Sequence, residues 1–291
     1  MTTFIEKIIR ERFPELATSE KWSFLKFCTP TSGATREDKV IFLVFHAGDK
    51  VPFLCVKTVR SYDARGVIIK NFENLQTLHT LAYSTSFQGI FAEPLFLHDD
   101  GEIIFSVERT CTGRRAQRSD LGVIATEYGM YHSVLAKQSS EKVSLVSIAE
   151  RLIANSVLPD TEQKKLRRYL ATLPPTPDLP KIVAHGDLTL DNILVDGQKI
   201  HIIDYDYVQI STLPGYDLFC LLFKVLKRDF STMHSRFFGK YFDSIGVVIH
   251  DMRGIIFTHY LTELIAKKPQ LLVGTDAKNI IRDFEVLYEI K

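Results

Sequence analysis

Asp187, Asn192, Asp204 and Asp206 crowd oxygen-bearing side chains into a short stretch of the chain. The first two lie in His185-Gly186-Asp187-Leu188-Thr189-Leu190-Asp191-Asn192, and the last two follow Ile202-Ile203. Each group sits beside a short apolar run. Strands bury such runs and hold the polar residues on loops at their mouths. Carboxylates and a side-chain amide held this way suit a hard cation, which prefers oxygen ligands in fixed geometry. The chemistry such a set would suit is phosphoryl transfer. That reaction asks a protein to align the reacting groups and to neutralise phosphate charge with metal and cationic side chains. Asp187 is the candidate to orient the attacking hydroxyl and accept its proton. Asn192 and Asp204 are candidate magnesium ligands, and Asp206 is a candidate for a second metal or its waters.

The elements that must position these residues differ between the two halves. Over 22–27, 40–45 and 53–59 the chain is rich in aromatic and β-branched residues, with turn-forming clusters between the runs. Residues 66–83 carry apolar side chains at spacings of three and four (Ile68, Phe72, Leu75, Leu78, Leu81), which predicts a helix. Strands are expected again near 92–97 and 103–107. After Arg109 helical spacing dominates, at 120–136, 161–173, 214–226, 248–265 and 276–290. The runs 193–195 and 199–203 flank Asp196-Gly197 and predict a hairpin. A small antiparallel sheet with one helix, followed by a larger helical part, is an α+β, two-lobed layout. The expected boundary gives an N-lobe over 1–107 and a C-lobe over 108–291.

His-Gly-Asp-x4-Asn followed by Ile-Asp-x-Asp resembles the aminoglycoside phosphotransferase and choline kinase family, which shares the protein-kinase-like fold. The Asp-x4-Asn spacing is also that of the protein kinase catalytic loop. The resemblance runs from about residue 22 to about residue 226. It implies a nucleotide, ATP or GTP, with Mg2+. It also implies partners in the first half. A lysine should stand on the third strand, and Lys57 ends Phe53-Leu54-Cys55-Val56-Lys57. A glutamate on the next helix should pair with it, and Glu73 is the candidate. Ser32 and Gly33 fall where a phosphate-covering loop belongs, although Gly33 is the only glycine of that turn. Glu108 and Thr110 fall at the linker expected to meet the adenine base. Asp217, in Gly215-Tyr216-Asp217, is expected to brace the catalytic loop through backbone hydrogen bonds, and His185 to pack structurally.

Only twelve residues separate Asp204 from Asp217. A protein kinase needs room there for its activation loop. The resemblance therefore implies a small hydroxylated acceptor and a small-molecule O-kinase. Two alternatives stay open: a non-catalytic nucleotide-binding scaffold, and nucleotidyl transfer to protein.

Composition bounds the rest. The 291 residues are 45% hydrophobic and 24% charged, which provides an ordinary core. A net charge of +1 argues against nucleic acid as a partner. Cys28, Cys55, Cys111 and Cys220 are widely spaced and form no zinc or disulfide framework. The start, Met1-Thr2-Thr3-Phe4-Ile5-Glu6-Lys7, does not read as a signal peptide. No apolar run approaches a membrane span. A cytoplasmic enzyme is expected.

Overall fold

The computed structural model describes residues 1–16, 21–28, 39–83, 85–87, 89–208, 213–226, 230–247, 251–267 and 269–288. The chain forms two compact units. One is Met1–Arg114 with His201–Asp206; the other is Arg115–Ile200 with Tyr207–Lys291.

The first unit is built on a five-stranded antiparallel sheet. Its strands are β1 (Trp22–Cys28), β2 (Lys39–His46), β3 (Leu54–Val59), β4 (Pro94–Asp99) and β5 (Ile104–Arg109), in the order β1-β2-β3-β5-β4. Strand periodicity sorts β2 cleanly. Val40, Phe42 and Val44 are buried and pack with Ile5 and Ile9 of helix α1 (Thr2–Arg12). Lys39, Ile41 and Leu43 therefore share the opposite face. Register carries that face across the sheet, because Ile41 stands opposite Lys57, and Lys57 opposite Ser106. Cys55 stands opposite Glu108. Lys39, Lys57 and Glu108 thus belong to one face, with Lys57 and Glu108 on the diagonal.

Helix α2 (Arg65–Tyr83) buries Ile68, Asn71, Phe72, Leu75, Leu78 and Ala82. Asn71 is the polar member of an otherwise apolar stripe, and it is only 1% exposed. Residues 201–206 join this unit through the bridge of Phe91 with Ile202 and a hydrogen bond from the Ile202 amide to the Ile90 carbonyl (2.7 Å). Asn74 of α2 then donates to the Tyr205 carbonyl at 2.7 Å.

The second unit is mainly helical: α3 (Leu121–Gln138), α4 (Leu145–Ala154), α5 (Asp160–Thr172), α6 (Tyr216–Leu226), α7 (Phe230–Ser244), α8 (Arg253–Leu261) and α9 (Ala277–Tyr288). Large aromatic side chains fill its core, among them Phe219, Phe238, Tyr241, Phe257 and Phe284. The Tyr241 hydroxyl ties two elements together. It accepts from the Gly215 amide at 3.0 Å and meets His132 Nδ1 at 2.7 Å.

Three helices lie outside the expected elements: α1, α4 and α7. The spacing of α1 and α4 is regular, with Ser144 capping α4 by accepting from the Ser147 amide. The helix expected over 248–265 appears as α8, continued by a π-helical turn at Thr262–Lys267; residues 248–250 lie outside the described residues. Among the described residues, no helix is long and apolar enough to cross a membrane.

Candidate active site

The loop 185–192 in the second unit is held from below by one carboxylate. Asp217, in the first turn of α6, is 2% exposed. Its Oδ2 accepts from the His185 amide at 2.7 Å and from the Tyr128 hydroxyl at 2.5 Å. Its Oδ1 accepts from the Gly186 amide at 3.0 Å. Three donors on one buried carboxylate fix the backbone just before Asp187. Burial, with Asp217 facing it, pushes the Tyr128 hydroxyl well above its ordinary pKa, so it stays a donor.

Gly186 is required here for space as well as for conformation. Its φ is +87°, and a Cβ would meet the Tyr207 carbonyl oxygen at 1.9 Å.

Asn192 closes a 3-10 turn, Leu190–Asn192. Its Nδ2 donates to the Asp187 carbonyl at 3.0 Å and reaches the Asp187 carboxylate at 3.5 Å. The Asp187 carboxylate keeps 38% exposure and has Lys224 Nζ of α6 at 3.5 Å. It is a partly exposed carboxylate on a braced loop.

The first unit holds a different cluster. Lys57 is 4% exposed, and its Nζ lies 2.9 Å from Glu108, also 4% exposed. Lys57 also donates to Asn71 Oδ1 at 3.3 Å and sits 4.8 Å from the centre of the Tyr205 ring. Burial works against the Lys57 ammonium, but the Glu108 charge and hydrogen bond, helped by Asp204, outweigh it and hold the group above the usual lysine range. Burial pushes the neighbouring Cys111 thiol up to about 12, with Glu108 adding to the shift.

The expected Lys57–Glu73 pair is not the one formed. Glu73 is exposed, beside Gln76, Thr77 and Thr80 on the outer side of α2. The reason is helical geometry: Asn71 faces Lys57, and a residue two positions on points to the other side. Glu108 corrects the linker assignment as well, since it lies inside β5 and turns inward. Thr110 follows the strand; its amide donates to the Phe53 carbonyl at 3.3 Å, and its hydroxyl donates to the Pro52 carbonyl. Ser32 and Gly33 lie outside the described residues.

Asp204 adopts φ +66°, in the left-handed region that is uncommon for non-glycine residues and that Asp enters more readily than most. Its Oδ1 lies 2.6 Å from Lys39 Nζ, and Asp206 Oδ2 lies 2.6 Å from the same nitrogen. Asn71 Nδ2 donates to the other Asp206 oxygen at 2.6 Å. A continuous network therefore runs Lys39–Asp204/Asp206–Asn71–Lys57–Glu108.

Comparison with known proteins follows the same lines. The phosphotransferase enzyme family matches residues 136–244, a segment that holds Asp187, Asn192, Asp204 and Asp217. The match covers 109 of the 291 residues. No curated protein matches it by sequence. Among solved structures, an ethanolamine kinase from Plasmodium vivax is 10% identical over 99% of this chain and 87% of that one, with a TM-score of 0.51. That likeness shows an α+β, kinase-like fold. An aminoglycoside phosphotransferase, APH(3'')-Id from Streptomyces rimosus, in complex with ADP and streptomycin, is 15% identical over 90% of this chain and 98% of that one, with a TM-score of 0.47.

Lys39, Asn71 and Lys224 touch these clusters without belonging to any motif of the sequence. Lys39 had a signal, as a lysine opening an amphipathic strand on the same face as Lys57. Asn71 and Lys224 had none beyond helical phase.

Proposed function

We propose that the protein transfers the γ-phosphate of ATP, with Mg2+, to a hydroxyl of a small-molecule acceptor. The observation that carries this reading is the Asp187 carboxylate, exposed on a loop whose backbone a buried Asp217 holds. Asp187 orients the acceptor hydroxyl and takes its proton. Lys57, its charge secured by Glu108, supports the α- and β-phosphates.

The donor chemistry fits a hard divalent cation. Asp204 and Asp206 direct one oxygen each at a single cationic nitrogen, both at 2.6 Å. Among the described residues, no group of three or more His, Cys, Asp or Glu gathers tightly enough to hold a metal ion. Mg2+ takes one or two carboxylates and completes its shell with phosphate and water. When bound, the metal neutralises charge on the phosphates.

The twelve residues between Asp204 and Asp217 leave no peptide platform, which supports a small acceptor. Aminoglycosides, amino alcohols, sugars and nucleosides form the test panel, read by ADP release with ATP and then GTP. Acceptor-dependent ADP release that vanishes in Asp187→Asn supports the reading.

One observation favours a second reading, a non-catalytic nucleotide scaffold: Lys39 neutralises the carboxylates that a metal needs. Nucleotide-induced thermal stabilisation with no ADP release from any acceptor decides for the scaffold. Pyrophosphate as the product points to nucleotidyl transfer instead.

A further inference from the structure

Lys39 opens β2, and its side chain is 11% exposed. Its ammonium nitrogen lies 2.6 Å from Asp204 Oδ1 and 2.6 Å from Asp206 Oδ2. The two carboxylate oxygens are thus no more than twice that distance apart. Like charges this close destabilise one another unless a cation lies between them.

The two sides of this contact differ in how firmly they are held. The carboxylates are preset. Asp206 is pinned by Asn71 Nδ2 at 2.6 Å, the Tyr205 carbonyl by Asn74 Nδ2 at 2.7 Å, and Asp204 sits at φ +66°. The lysine is a point charge on a flexible four-carbon stem. Lys57, the other cation of the network, is already engaged by Glu108 at 2.9 Å. Take Lys39 away, and the two carboxylate oxygens lose the cation they share.

We propose that Lys39 is a tethered stand-in cation: it neutralises the Asp204–Asp206 pair while no metal is bound, and it yields that position to a divalent cation. Lys39 therefore sets how tightly the resting protein binds metal. The inference rests on the metal-dependent reading of Asp204 above. It adds a residue of opposite effect, one whose loss strengthens metal binding instead of weakening it.

The test uses the full chain without nucleotide. Free Mn2+ is followed by electron paramagnetic resonance in wild type, Lys39→Met, Lys39→Arg, Asp204→Asn and, as a control, Lys70→Met, an exposed lysine of α2. Lys39→Met is expected to bind Mn2+ about tenfold tighter than wild type, the scale of one partly shielded charge contact. Lys39→Arg and Lys70→Met are expected to stay near wild type, and Asp204→Asn to bind more weakly.

Thermal unfolding supplies a second readout. Mg2+ is expected to raise the Tm of Lys39→Met more than that of wild type. A Lys39→Met protein recovered only in Mg2+ meets the same expectation. If it is recovered in no buffer, Lys39→Gln carries the comparison.

Mn2+ affinity in Lys39→Met equal to or weaker than wild type overturns the stand-in role. If wild type binds Mn2+ with ATP and turns over an acceptor while Lys39→Met is no tighter, only this inference falls. If Mn2+ binds neither wild type nor any variant, with or without ATP, the metal-dependent reading falls with it.

Discussion

The two polar clusters solve the same problem, holding charge in place, by opposite means. In the first unit the charges hold one another. Lys57 and Glu108 are both buried, and Lys39 bridges Asp204 and Asp206. In the second unit the backbone is held instead. Asp217 is buried under three donors, and the residue it serves, Asp187, is left open. Mutual compensation suits groups that wait for a highly charged ligand. Backbone bracing suits a group that must meet a neutral hydroxyl at a fixed place.

If the comparison is right, the largest effect belongs to Asp187. Asp187→Asn is expected to lower turnover by about 10²–10⁴-fold while leaving the unfolding transition near wild type, because the side chain is exposed. Comparable turnover in this variant breaks the assignment of chemistry to the braced loop.

Glu108→Gln comes next and reads out as stability. It strands the Lys57 ammonium in a buried place, at a cost of about 3–5 kcal/mol in chemical denaturation. Glu73→Gln is its counterpart and is expected to stay within about 0.5 kcal/mol of wild type. Equal effects of the two would sink the Glu108 pairing.

Asp217→Asn sharpens the bracing argument. It is expected to cost about 1–3 kcal/mol for each buried donor it leaves unpaired and to lower turnover without touching the acceptor.

A pH slope in the second unit is the test that does not involve the two clusters. His259 is enclosed by Tyr216, Phe219 and Phe238, and burial lowers its pKa to about 3. The folded state keeps the ring neutral, whereas the unfolded chain protonates it near 6.5. Its contribution is complete above that value and is lost as pH falls toward about 3, at about 1.4 kcal/mol per pH unit. His259→Leu is expected to flatten the decline of stability between those limits, read by denaturation at several pH values.

Much of this was legible in the residues. The Asp-x4-Asn spacing, the lysine at the end of an apolar run and the aspartate at a helix start are local patterns, and local patterns survive in a linear reading. Strand alternation in β2 even sorts Lys39 from Val40. Two things were not legible. The first is the counter-ion of Lys57: Glu73 is the only carboxylate within α2, so composition favoured it. Helical phase put Asn71 inward, and sheet register brought Glu108 from a strand fifty-one positions away along the chain. The second is the charge balance around Asp204. Lys39 and Asp204 stand 165 positions apart, and no sequence spacing announces their contact.

The sequence by itself determined which groups can do chemistry, because residue type and short spacing set what a side chain can donate, accept or ligate. Only the tertiary structure decided which charges neutralise each other, because register and packing across distant segments choose the partners.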